Sequence, residues 1–201
     1  MKPVECWFEF ASTYSYLSVM RVEGACAEAG VTLVWRPFLL GPVFGAQGLT
    51  DSPFNVYPVK GAYMWRDMER CTAAQGLDWR KPSGFPRGSL LAARIATAFA
   101  GADWGGDFIR AVYVANFAHD RDIADDAVIS DILTEIGQTP ADVLAHATSQ
   151  PVKDALKVQT EAALKTGVFG APSFTVGQEV FWGNDRLEMA IGCAKASTWP
   201  R

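Results

Sequence analysis

A chain of 201 residues is long enough for one well-buried core that carries a sizeable insertion. Hydrophobic residues make up 49% and charged ones 20%, an ordinary globular balance that excludes disordered and fibrous classes. The 18 basic and 22 acidic residues give a net charge of −4 with no basic stripe, so nucleic acid is not an expected partner.

The start, Met1-Lys2-Pro3-Val4-Glu5, lacks the apolar stretch and small-residue cleavage site of a secretory signal, and no window approaches the roughly 18 apolar residues of a membrane span. The expected compartment is the cytoplasm, with no membrane partner.

In chain order, Val4 to Phe10 alternates. Val4, Cys6, Phe8 and Phe10 share one face and Glu5, Trp7 and Glu9 the other, the period of a half-buried strand. Ala11-Ser12-Thr13 breaks the pattern. Leu17, Met20, Gly24 and Ala27 then recur at helical spacing, with Ser12 or Thr13 at the helix start and Gly30 placed to end it. Val31, Leu33 and Trp35 predict a second strand that Pro37 closes. Strand, helix and strand within about 35 residues form a right-handed βαβ unit with a parallel pair.

A Gly- and Pro-rich segment from Gly41 to Pro58 reads as a long binding loop. Helices are expected over Ala62–Gly76, Leu90–Ala100, Asp107–Ala118, Ala124–Ile136, a short piece after Pro140, and Pro151–Thr166. Ser173–Val176 and Glu179–Trp182 alternate around Gly177-Gln178, a two-residue hairpin. Asn184-Asp185 then caps a last helix, with Glu188 in capping-box position. The order βαβ, helical block, ββα is α/β: a thioredoxin-like core over 1–40 and 168–201, interrupted by a binding loop and a helical insertion over 41–167.

Four cysteines, Cys6, Cys26, Cys71 and Cys193, stand far apart. None forms a C-x-x-C pair, so they read as small buried hydrophobes. In a thioredoxin-like oxidoreductase the turn after the first strand carries the reactive thiol at a helix N-terminus, where free N–H groups and the dipole favour a thiolate. Here that turn is Ser12-Thr13-Tyr14-Ser15, which excludes disulfide exchange there but keeps an environment able to stabilise a thiolate supplied from outside. His119 and His146 have no partners at ligand spacing, so no metal site is expected. Phe38, Tyr63, Trp65, Phe85 and Trp182 are core aromatics taken singly, though some could line an apolar site together.

The chain resembles the 2-hydroxychromene-2-carboxylate isomerases and the related kappa-class glutathione transferases, which share a DsbA-like thioredoxin fold. The resemblance is carried by Phe8-Glu9-Phe10-Ala11-Ser12-Thr13-Tyr14-Ser15-Tyr16-Leu17, Trp35-Arg36-Pro37-Phe38-Leu39-Leu40-Gly41, Asn55 with Lys60, Phe85-Pro86, Gly167 through Phe174, and Phe181 through Leu187. It implies that Ser12 donates a hydrogen bond to the sulfur of glutathione, and that Asn55 and Lys60 also contact glutathione. Ala171, before an implied cis Pro172, would meet its cysteinyl part. Asn184 and Asp185 would hold the γ-glutamyl end.

Read unaided, Ser12 is equally an N-cap, Asn184 and Asp185 equally helix caps, and Lys60 equally a solvated lysine. The implied activity is the glutathione-dependent conversion of 2-hydroxychromene-2-carboxylate to trans-o-hydroxybenzylidenepyruvate in aromatic catabolism, by a homodimer. A kappa-like transferase or peroxidase acting on another electrophile, and a non-catalytic thioredoxin-fold binding module, are the alternatives. Thr13 where the family commonly has proline, and Gly88 where many relatives have asparagine, depart from the pattern.

Overall fold

The structure is a computed structural model, and it describes residues 1–196. The last five residues of the expected 168–201 segment lie outside the described residues.

The core is a four-stranded sheet in the order β2-β1-β3-β4. β1 (Val4–Phe8) pairs parallel with β2 (Leu33–Pro37) and antiparallel with β3 (Ser173–Val176), which forms a hairpin with β4 (Glu179–Trp182). Between β1 and β2 runs α1 (Thr13–Ala29), capped by Ser12 and closed by Gly30 in the left-handed conformation at φ 68°.

The alternation in β1 does not separate a wet face from a dry one. Val4 and Cys6 pack with Val22 and Cys26 of α1 and with Phe174 of β3, while Trp7 on the opposite face packs with Phe38, Val43, Ala163 and Val168. Helices therefore cover both faces, as a central parallel pair requires. The polar residues of the second face are paired rather than solvated. The Trp7 indole donates to Thr175 Oγ1 at 2.9 Å, Thr175 donates to Glu5 at 2.7 Å, and Arg36 pairs with Glu5.

The expected loop after β2 contains two short helices, α2 (Leu40–Ala46) and α3 (Pro53–Val56). The second starts on a Ser52 N-cap followed by Pro53, a start signal masked by the surrounding glycines. α4 (Pro58–Gln75) begins a turn earlier than its apolar pattern does. α5 (Leu90–Phe99), α6 (Gly105–Phe117), α7 (Asp126–Glu135), α8 (Pro140–Ala147) and α9 (Gln150–Thr166) follow the expected order. Their apolar faces join Phe8, Phe10, Tyr16 and Leu17 in one cluster that includes Phe108, Tyr113 and Phe117. The sheet and the helices of 41–167 therefore share a continuous core.

The last helix differs from the expectation. Asn184–Arg186 forms a 3₁₀ turn entered from Gly183, and α10 (Leu187–Lys195) begins only afterwards with no side-chain cap. Glu188 makes no capping box because its carboxylate pairs with Arg21 of α1. Among the described residues no helix is long and apolar enough to cross a membrane.

Candidate functional site

A cavity of about 1250 Å³ opens where the N-terminus of α1 meets the loop before β3, the 3₁₀ turn after β4, and α2 to α4. Ser12, Lys60, Ala171, Pro172, Asn184 and Asp185 all line it. Asn55 is not among the lining residues. Its amide donates to Asp51 at 3.0 Å and to the Phe85 carbonyl at 3.3 Å, so it ties α3 to the Phe85-Pro86 segment.

Ser12 Oγ donates to the Ala171 carbonyl at 3.0 Å and accepts from the Ser15 N–H at 3.4 Å. The Ala171–Pro172 peptide is cis, as is Phe85–Pro86. Among the described residues the N–H groups of Thr13, Tyr14 and Ala171 have no backbone partner, which leaves three donors beside one hydroxyl. Such a helix start, with its dipole, holds negative charge.

The turn after β4 is fixed by α1. Ser18 Oγ and Arg21 Nε donate to Asn184 Oδ1 at 3.0 and 3.3 Å, and Arg21 Nη2 donates to the Asn184 carbonyl at 2.6 Å. With its oxygens engaged, Asn184 offers its amide N–H₂. Gly183 adopts φ 111°, where a Cβ would stand 2.7 Å from Asp185 Oδ1. Asp185 is exposed and pairs with Arg186 at 2.8 Å.

The far wall is apolar and aromatic. Phe54, Tyr57, Tyr63, Phe85, Phe169 and Trp182 line it, so three of the five aromatics singled out from sequence (Tyr63, Phe85 and Trp182) reach the cavity, while Phe38 is buried. Tyr14 donates to Asp67 at 2.9 Å, and burial, with Asp67 second, pushes its hydroxyl well up. Lys60 Nζ lies 5.8 Å from the Phe54 ring centre.

Cys6, Cys26 and Cys193 are buried, but Cys71 is half-buried and lines the cavity, with its S–H 3.9 Å from Asp67. Burial is the first cause that raises the Cys71 thiol, so it is not primed as a thiolate. Neither histidine lines the cavity, and no cluster able to hold a metal exists among the described residues.

Sequence reasoning missed Glu9. The strand alternation places it on an outer face, yet it is 6% exposed, lies in the cavity wall and receives the Ala11 N–H at 2.9 Å and the Ser89 hydroxyl. Its own carbonyl accepts from Tyr113 at 2.7 Å. Desolvation by burial is the main cause that pushes its carboxyl from the ordinary 4.5 up to about 7, against the opposing hydrogen bonds from Ser89 and Ala11. That the strand ends at Phe8, so that Glu9 turns inward, was the missing signal.

These features define a thioredoxin-fold protein whose first-helix terminus carries a hydroxyl in place of a thiol and faces a large apolar cavity. The chain belongs to the DsbA-like thioredoxin domain family, whose model matches residues 3–191. It is 26% identical over 189 residues to a 2-hydroxychromene-2-carboxylate isomerase of Sphingobium xenophagum, covering 93% of this chain and 95% of the relative. It is 24% identical to glutathione S-transferase kappa 2 of Caenorhabditis elegans, covering 92% and 88%. The solved structure of a 2-hydroxychromene-2-carboxylate isomerase superposes with a TM-score of 0.84 at 24% identity, covering 94% and 93%. The curated relatives are isomerases and glutathione transferases, and their likeness runs nearly end to end.

Proposed function

We propose that this chain is a glutathione-dependent enzyme that isomerises 2-hydroxychromene-2-carboxylate to trans-o-hydroxybenzylidenepyruvate. The observation that carries the reading is the Ser12 hydroxyl at the free N-terminus of α1, inside the cavity and 3.0 Å from the Ala171 carbonyl. The names of the relatives support isomerisation of 2-hydroxychromene-2-carboxylate, and the product and the thiol follow from the family resemblance.

The residues fit the tripeptide. Ala171 has a partnerless N–H and a carbonyl that only Ser12 occupies, the two groups an added peptide strand pairs with. Asn184 N–H₂ and Asp185 at the turn suit a γ-glutamyl carboxylate and ammonium respectively. Bound there, glutathione would supply a nucleophilic thiolate, so the protein needs no cysteine of its own at α1.

Ser12 would redirect its hydroxyl proton from the Ala171 carbonyl toward the sulfur, releasing that carbonyl to the peptide. A shift of one pH unit in the thiol needs only about 1.4 kcal/mol, within reach of one charge-assisted hydrogen bond and a helix terminus. The aromatic wall would stack the planar substrate, and Lys60 would attract its carboxylate.

To test it, purified protein is mixed with the chromene and glutathione. Wild type should turn over and Ser12→Ala should lose at least about tenfold in kcat/KM, the weight of one lost unit of thiol stabilisation. Equal turnover by the variant removes Ser12 from the mechanism. The relatives named as kappa-class transferases keep a second reading open, conjugation to another electrophile. Indifference to the chromene with conjugation of a generic acceptor selects it, and failure to bind millimolar glutathione selects a binding module. Homodimerisation and a cytoplasmic site of action belong to the same proposal.

A further inference from the structure

We propose that Glu9 is the base that takes the thiol proton when glutathione binds, a step that rests on the glutathione reading above. A hydroxyl can donate to a thiolate, but it cannot remove the proton from a thiol, so the site needs an acceptor.

The cavity wall supplies few. Asp67 is only partly buried and is paired with a cation, Arg70, at 4.0 Å. Asp51 receives the Ser52 N–H at 2.6 Å and the Asn55 amide at 3.0 Å, and Asp185 is exposed and paired with Arg186. Glu9 differs from all three. It is buried, no cation among the described residues pairs with it, and it lies beneath the turn that carries Ser12, whose N–H donates to the Glu9 carbonyl at 2.9 Å.

The groups that face Glu9 are neutral. α6 contributes the Tyr113 hydroxyl, driven well up by burial, and the start of α5 contributes the Ser89 hydroxyl. Cys6 of β1 is buried and its thiol is pushed far up, so it adds no charge. Arg87, before α5, shares the wall but is held by Asp120 and by Asn116 Oδ1 at 3.0 Å. A carboxyl poised at about 7 suits proton transfer near neutral pH.

The step balances. The S–H bond breaks, an O–H bond forms on Glu9, and the electron pair stays on sulfur. One negative charge moves from a desolvated carboxylate to the amino end of α1, so the closed site keeps its net charge and needs no exchange with solvent.

The test is calorimetric titration of glutathione into the protein at about pH 8, in buffers of different ionisation enthalpy, with thiolate absorbance recorded in parallel. Because the new thiolate is a like charge that lifts the neighbouring carboxyl further and lets it keep the proton, wild type should release clearly fewer protons to buffer per thiolate formed than Glu9→Gln, which should release close to one or form no thiolate. Equal release by both proteins overturns the proposal. Binding without thiolate in wild type overturns it too, and absence of binding heat overturns the glutathione reading as well.

Ser89→Ala keeps Glu9 and provides a second arm. Loss of a donor that favours the ionised carboxylate should raise the pH below which wild-type binding begins to release protons. An unmoved midpoint counts against Glu9.

Discussion

Replacing Glu9 by glutamine should make the protein more stable at slightly alkaline pH and leave it nearly unchanged at acid pH. Burial holds the folded-state carboxyl at about 7 against an ordinary 4.5. A group raised on folding contributes stability that is fully present below its unfolded value and is lost as pH climbs through the folded one, here between 4.5 and about 7. A displacement of about 2.5 units at roughly 1.4 kcal/mol each makes the loss about 3.5 kcal/mol at its full extent.

Glutamine, like a protonated glutamic acid, is neutral and presents an acceptor oxygen beside a donating group, so it keeps a partner for the Ala11 N–H or the Ser89 hydroxyl. Urea unfolding of both proteins at about pH 5 and pH 8 reads the difference directly, because other groups titrate alike in both. The variant should gain roughly 2–3 kcal/mol over wild type on going from the lower to the higher pH. A gap that stays constant would show that Glu9 titrates like a surface carboxylate, and both its burial and its role as a base would be wrong.

Three further changes probe the cavity wall. Gly61→Ala places a Cβ 2.1 Å from the Phe54 carbonyl oxygen, so α4 must lift from α3, and thermal unfolding should show a loss of at least about 2 kcal/mol together with weaker ligand binding. Arg21→Ala frees the Asn184 carbonyl and leaves only Ser18 on its Oδ1, and steady-state kinetics should show KM for glutathione rising roughly five- to tenfold with kcat within about twofold. Ser12→Ala also removes the N-cap of α1, so urea unfolding should report about 1 kcal/mol lost even without ligand.

Much of the architecture could be read from the residues because local and global signals agreed. The βαβ opening follows from period-two alternation flanking a helical spacing, and the end of α1 at Gly30 and the Gly177 hairpin follow from a residue type suited to positive φ. The failures share a cause: tertiary packing overruled a local pattern. Trp7 looks solvent-facing only if the sheet has an open side, which α9 covers, and Glu9 only if β1 ran past Phe8.

Glu188 satisfies a capping-box rule but is recruited by Arg21, 167 residues earlier in the chain. Asn55 lies in the right segment, yet α3 turns its amide toward Asp51. The place of Ser12 at the start of α1 was legible because an N-cap falls where the alternation breaks, whereas the burial of Glu9 was not, since nothing in a period-two pattern announces where a strand stops.

The contact between Ser12 and Ala171 spans 159 residues, and the Trp7–Thr175 bond beneath it spans 168. At a synthesis rate of about 5–20 residues per second, the N-terminal half of the site would wait many seconds for its other wall. A nascent chain stalled before β3 would hold Ser12 opposite nothing. Ligand capture is thus deferred until β3 has been made, so binding of the tripeptide would report that the two distant segments of the sheet have come together.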